Sequence, residues 1–430
     1  MSGSSAAQGR ISRRRVMASG LALTGLGFGA PAWAQVPPIP RPSLNDLARA
    51  KRMRFGSAIA AGASDARRMG GSIDNPAYAE VVAGECGLVV PENEMKWQTL
   101  RPDAASFDFR RADRLMAFAK SRGLEVRGHN LLWHVPKWLP AWVNAYDFGA
   151  RPASAAEKLL TQHITTVCRH FGDAIGSWDV VNETIDPATG AMRETVFTRH
   201  LGDKVIDIAF HAAREALPGC QLVYNDYMNW EAGNERHRTG VLKLLERLRR
   251  DGVPLDALGL QSHIGGDSDL TATPGRPQAV AWRRFLEDAT AMKLDLLVTE
   301  FDVNDRAFSA DPARRDAEAA AYTRDYLDVT LSFPQLRDIL AWGMVDRFSW
   351  LNDRTPRTDG LPKRPCPYDD AYRPKALRQA IADAVRSAPA RPGSLAACAT
   401  GAGSAITSIP AEPHCGNMRV QSPASSHGDV

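Results

Sequence analysis

Trp178-Asp179-Val180-Val181-Asn182-Glu183, residues 178–183, is a short apolar run that ends in an amide and a carboxylic acid. With Ser177 before it, the stretch has the length of a buried strand. Seven other runs share its character: Phe55–Ala60, Leu88–Glu92, Glu125–His129, Gln221–Asn225, Ala257–Gln261, Asp295–Glu300 and Ile339–Trp342. Helical patterns separate them. Ser43 with Asp46 comes close to a capping box, and Asn75-Pro76 places a cap residue before a proline at the first helical position. Ser154-x-x-Glu157 predicts a capped helix over Leu159, Leu160, Ile164 and Val167, with Gly172 past its end. Val241, Leu244, Leu245 and Leu248 recur at helical spacing, and Pro374 opens a last helix reaching about Arg386. Eight strand-then-helix units without a phosphate-binding glycine motif predict a single (β/α)8 TIM barrel rather than a doubly wound sheet.

The chain ends differ from this core. Ser12-Arg13-Arg14-Arg15-Val16-Met17 precedes a moderately apolar, glycine-rich stretch to Gly29, and Ala32-Trp33-Ala34 supplies a small-x-small cleavage pattern. Residues 1–34 are therefore expected to be a twin-arginine-type signal peptide, with export to the periplasm or beyond. The apolar run is too short to span a bilayer comfortably, so the mature chain should carry no membrane anchor. Gly25-x-Gly27-x-Gly29 follows no strand and is no dinucleotide loop. Residues 35–43 form a Pro-rich lead-in, 44–387 the barrel, and 388–430 a tail of Ala, Pro, Ser and Gly too poor in large apolar residues to build a core. Net charge is only +4, with no basic run outside the N-terminus, which removes the electrostatic case for nucleic acid. The six cysteines, Cys86, Cys168, Cys220, Cys366, Cys398 and Cys415, show no CxxC and no metal-like spacing. Pairing of Cys398 with Cys415 stays open.

In a barrel of this kind, chemistry sits at the C-terminal ends of the strands. Here the second strand runs into Glu92-Asn93-Glu94-Met95-Lys96-Trp97 and the third into His129-Asn130-Leu131-Leu132-Trp133-His134. The sixth ends in Gln261-Ser262-His263, the seventh in Thr299-Glu300-Phe301-Asp302, and the eighth in Trp342-Gly343. Among the acids at these ends, Glu183 and Glu300 stand on strands roughly opposite each other. Glycosidic bond cleavage requires such a pair, one proton donor and one nucleophile or base. No HxH, HExxH or Asp-rich loop accompanies them, so no metal and no cofactor is expected.

The blocks Trp178–Glu183, Glu92-Asn93-x-Met95-Lys96, Gly128-His129-x-Leu131-x-Trp133-His134 and Thr299-Glu300-x-Asp302 resemble the signature blocks of family 10 glycoside hydrolases, the endo-1,4-beta-xylanases. They stand in that family's order, and the resemblance extends from about residue 46 to 387. It implies that Glu183 is the acid/base and Glu300 the nucleophile of a retaining double displacement. It further implies that His263 hydrogen-bonds Glu300 and is oriented by Asp302, and that Asn182 reaches the sugar 2-hydroxyl. Glu92, Asn93, Lys96, His129, Trp133 and Gln261 match glycone-side sugar contacts, Trp342 and Trp350 match aromatic platforms, and Tyr227 is the aglycone-side candidate. His134, Trp178 and Trp282 are assigned to the core. Asn130 and Phe301 depart from the family's usual hydroxyl and aliphatic residues and touch only fine subsite structure. The implied partner is xylan or a xylo-oligosaccharide, bound by a monomer. Other retaining beta-glycanases, a non-catalytic sugar-binding barrel and a metal-dependent barrel hydrolase remain as alternatives, the first because it shares the same pair of glutamates.

Overall fold

The computed structural model describes residues 36–62, 71–265 and 277–393. The expected signal segment, Cys398, Cys415 and nearly all of the expected tail lie outside them. Eight parallel strands close on themselves: β1 (Arg54–Ile59), β2 (Leu88–Pro91), β3 (Glu125–Trp133), β4 (Ser177–Asn182), β5 (Gln221–Asp226), β6 (Ala257–Leu260), β7 (Asp295–Val303) and β8 (Leu336–Ala341). Each pairs with its sequence neighbours, and the β8–β1 ladder, with Ser57 opposite Ala341, seals the ring. A two-residue strand, His263–Ile264, adds to the upper edge of β7, where His263 lies opposite Asp302. β3 and β7 run farther toward this rim than their apolar runs alone indicate, and they carry Trp133 and Asp302 with them.

A helix follows each strand: α1 (Pro76–Glu85), α2 (Arg110–Ser121), α3 (Pro152–Phe171), α4 (Lys204–Ala216), α5 (Glu235–Arg250), α6 (Ala279–Ala291), α7 (Pro312–Thr330) and α8 (Ala376–Ser387). Local chemistry sets their starts. The Asn75 side chain accepts from the Tyr78 amide at 3.2 Å ahead of Pro76, and the full Ser43–Asp46 capping box forms on the short leading helix Leu44–Ala50. The Ser154–Glu157 box does not form. Pro152 takes the first position of α3 and places Ser154 inside the helix, because its fixed φ already suits a helical start. α8 likewise begins at Ala376, two residues after Pro374. Lys375 is withdrawn into a buried contact with Asp346, 3.1 Å away, and the carbonyls of Arg364 and Cys366. The chain also stays packed beyond Ser387. Arg391 is buried under the barrel, donating to the carbonyls of Leu336 (2.8 Å) and Leu331 (3.0 Å), which the composition of the region did not foretell.

Inside, strand spacing is set by contact. A Cβ on Gly128 would lie 2.1 Å from the Trp178 ring, so β3 can approach β4 only with glycine there. Trp178 and Trp282 are fully buried, as assigned. Cys86, Cys168, Cys220 and Cys366 are buried free thiols. Among the described residues no helix is long and apolar enough to cross a membrane.

Candidate active site

The candidate catalytic and sugar-contact residues lie toward the C-terminal rim of the barrel. Glu183 follows the last residue of β4 and is partly buried. Its carboxylate accepts hydrogen bonds from Gln261 Nε2 (3.0 Å) and Asn182 Nδ2 (3.1 Å). Burial holds its carboxyl above the ordinary range despite the Gln261 bond, and the carboxylates of Asp226 and Glu300 add to the rise. Glu300 lies within β7, where Asn225 Nδ2 donates to its Oε1 at 2.8 Å and His263 Nε2 stands 3.2 Å from its Oε2. Burial pushes this carboxyl up as well. The His263 hydrogen bond and the surrounding positive charge, Lys96 included, outweigh it and hold Glu300 below its usual value. The proton affinities of two glutamates on one rim are thus shifted in opposite directions.

His263 is the hinge of that difference. Its Nδ1 lies 2.9 Å from Asp302 Oδ1, and Trp350 Nε1 donates to the other Asp302 oxygen at 2.7 Å. Burial alone would depress the imidazole, but Asp302 and Glu300 prevail and push its pKa up to about 10. It is an imidazolium clamped between two carboxylates, not a core histidine.

The glycone-side candidates surround this centre. Lys96 Nζ donates to Asn93 Oδ1 at 3.1 Å and sits 4.6 Å over the Trp133 ring centroid and 5.9 Å over that of Trp342. Burial depresses the Lys96 ammonium, against the pull of Glu300, Glu92 and Glu183. Glu92, Trp342 and Trp350 line one pocket together with Tyr78 and Phe348. The Trp342 ring stands edge-on to His129, and Trp350 packs 5.0 Å from His263. His129 is buried, its Nδ1 2.9 Å from Asp179 Oδ2, while Arg127 donates to the other Asp179 oxygen at 2.7 Å. Its remaining nitrogen, Nε2, is 3.5 Å from the Asn130 amide. Tyr227 stands on the opposite flank, its hydroxyl accepting from Arg193 at 2.6 Å. His134 is fully buried with Nε2 3.1 Å from Thr195 Oγ1, in keeping with a supporting place.

Three contributors had no assigned part in the sequence reading. Asn225 links both acids, since its Nδ2 also donates to Asn182 Oδ1 at 2.8 Å and its oxygen accepts from Thr299 Oγ1 at 2.7 Å. Gly259 makes room for it: a Cβ there would meet Asn225 Oδ1 at 2.2 Å. Strand-end position signalled Asn225, but its target did not show. Asp179 lay inside the quoted block without a partner to give it meaning. Arg193, in the loop after β4, left no sequence signal at all. Among the described residues no cluster of His, Cys, Asp or Glu could hold a metal ion.

Known proteins resemble this chain across the barrel. The model of glycosyl hydrolase family 10 matches residues 43–384. Endo-1,4-beta-xylanase 3 of Hypocrea jecorina is 33% identical over 289 residues, covering 66% of this chain and 74% of that protein. Endo-1,4-beta-xylanase B of Thermotoga neapolitana is 31% identical over 278 residues, 65% of this chain and 75% of its own length. In three dimensions, native xylanase 10B of Thermotoga maritima superposes with a TM-score of 0.69 at 30% identity, covering 80% of this chain and 98% of the other. Xylanase 10B of Thermotoga petrophila, in complex with xylobiose, gives 0.68 at 29% identity over 81% and 98%. With a closed eightfold barrel, one glutamate just past β4 and another within β7 at the same rim, and a family match over residues 43–384, this chain belongs to glycosyl hydrolase family 10.

Proposed function

We propose that the protein is a retaining endo-1,4-beta-xylanase in which Glu183 is the acid/base and Glu300 the nucleophile. The observation that carries the reading is the opposite electrostatic setting of the two acids. A carboxyl held above its ordinary range keeps a proton to give to the glycosidic oxygen, and one held below it stays ionised to attack the anomeric carbon. In the first step Glu300 forms a covalent glycosyl-enzyme while the Glu183 proton passes to the departing sugar. Glu183, now a carboxylate, takes a proton from water, which displaces Glu300 and releases product with its configuration kept. The bond from His263, itself oriented by Asp302, favours the charged nucleophile. Asn182 is placed to meet the 2-hydroxyl, while Trp342 and Trp350 offer flat faces to sugar rings and Glu92, Asn93, Lys96, His129, Trp133 and Gln261 offer polar groups.

Relatives named endo-1,4-beta-xylanase and a relative holding xylobiose support xylan as the substrate. The proposed protein is a monomer exported through the twin-arginine-type segment, with one catalytic barrel and a low-complexity tail. Replacing Arg13 and Arg14 by Lys should leave it in the cytoplasm on cell fractionation. The deciding experiment follows xylan hydrolysis by NMR, with carboxymethylcellulose in parallel. First-formed β-anomer from xylan is expected. α-Anomer appearing first would overturn retention, and faster release from carboxymethylcellulose would move the enzyme to the cellulase-type readings.

A further inference from the structure

Glu183 occupies a backbone conformation that an L-residue seldom adopts, with φ of +59°. Such a residue persists only where its surroundings over-determine it. Four backbone polar groups of Glu183 and Thr184 are pinned. The Glu183 N–H donates to the Asn225 carbonyl (2.9 Å), and the Thr184 N–H to the Tyr224 hydroxyl (3.3 Å). The other two belong to Arg193: its Nε donates to the Glu183 carbonyl (3.2 Å) and its backbone N–H to the Thr184 carbonyl (2.8 Å). The far arm of the same guanidinium donates to the Tyr227 hydroxyl at 2.6 Å.

Arg193 is itself held in place. It returns under Glu183 on a hairpin in which Ile185 bridges Met192, and Asp186 N–H donates to Ala191 O at 2.8 Å. Gly190 N–H closes the turn onto Asp186 O at 2.7 Å. The hairpin is seated on α5, where Arg236 donates to Ala188 O at 2.7 Å and a Cβ on Gly240 would lie 2.4 Å from Gly190 O. A rigid planar fork therefore spans from the strained peptide of one candidate residue to the ring of another, a geometry that a lysine point charge cannot reproduce.

We propose that Arg193 is a positioning residue that holds the Glu183 carboxyl in its proton-donating direction and ties it to the aglycone-side ring of Tyr227. The proposal rests on Glu183 being the acid/base. Without the fork, the Glu183 carbonyl loses its side-chain partner while the other three bonds stay, so the peptide can tilt about them and the carboxyl moves with it. A misplacement of about 1 Å at a reacting group costs on the order of 10²-fold.

The test uses the full exported chain, comparing Arg193→Met, Arg193→Lys and Tyr227→Phe with wild type. Two rates are read: steady-state turnover of xylan, and the pre-steady-state burst from 2,4-dinitrophenyl β-xylobioside, whose leaving group hardly needs protonation. Arg193→Met should lose on the order of 10–100-fold on xylan while its burst rate stays within about threefold. Burst amplitude counts folded, nucleophile-competent sites and should stay near one per chain. Arg193→Lys should recover part of the loss, and Tyr227→Phe, which removes only the outer bond, should lose less than Arg193→Met. Equal loss in both rates would make Arg193 a general structural residue and overturn the proposal, as would full xylan turnover by Arg193→Met. Glu183→Ala, run alongside, separates the two readings. If it keeps xylan turnover, the acid/base reading falls and takes this one with it. If it loses xylan turnover but keeps the burst while Arg193→Met is unaffected, only Arg193's role is lost.

Discussion

Glu183 and Glu300 are the same residue type on the same rim, yet their surroundings diverge. Glu183 ends its strand with a left-handed backbone and receives hydrogen bonds from neutral amides, Gln261 and Asn182. Glu300 lies inside β7, where the pairing with β8 shifts register between Val298 and Phe301, and receives one from His263, whose second nitrogen is satisfied by Asp302. Burial raises the proton affinity of both, and only Glu300 has cationic neighbours sufficient to reverse it. The lesson is that burial alone does not distinguish an acid from a nucleophile; the charge of the hydrogen-bond donor does.

The most severe way to test that asymmetry is to delete each acid. Glu300→Ala should lose on the order of 10⁴-fold or more on xylan and on an activated aryl xylobioside alike, since neither can form the covalent intermediate. Glu183→Ala should lose about 10²- to 10⁴-fold on xylan yet still form the intermediate from the activated substrate, and azide should then speed turnover by attacking it. Equal collapse of both variants on the aryl substrate, without azide rescue, would erase the distinction.

His263→Asn sharpens the comparison from the nucleophile's side. Removing the imidazolium should raise the Glu300 carboxyl, shifting the acid limb of kcat/KM to higher pH, with turnover lower by about tenfold. It also changes stability in a definite window. A histidine whose folded pKa is about 10 contributes stability fully present below its unfolded value of about 6.5 and lost as pH rises through 10. Thermal melts of wild type should therefore decline across that window, and those of His263→Asn should decline less. Glu300 acts in the opposite sense: its depressed pKa adds stability above the ordinary glutamate range that is lost on acidification. Identical melting profiles for the two proteins from pH 6 to 10 would remove the ion clamp from the account.

Gln261→Leu should give the smallest effect. Its hydrogen bond lowers the Glu183 carboxyl against the burial that raises it, so its loss should move the alkaline limb of the pH profile upward. Turnover should fall only about three- to tenfold, as for loss of one neutral hydrogen bond. An alkaline limb that stays fixed would mean that Glu183 does not govern it.

Much of this was legible in the chain itself. Apolar runs of strand length, helix starts such as Asn75-Pro76, and polar groups at run ends are local features, set by burial of neighbouring residues and by caps one turn long. They located all eight strands and brought Glu183, Glu300, His263 and Trp342 to one rim, because a parallel barrel leaves its chemistry nowhere else to emerge. Only the tertiary structure decided what these residues do to one another. Asn225 reaches an acid 75 positions away, the Asp302 that holds His263 lies 39 positions on, and Arg193 meets Tyr227 across 34 positions. Such pairings follow from the closure and stagger of the barrel and from backbone turns such as that at Glu183. A side chain's proton affinity is set by those distant partners, not by its neighbours in the chain.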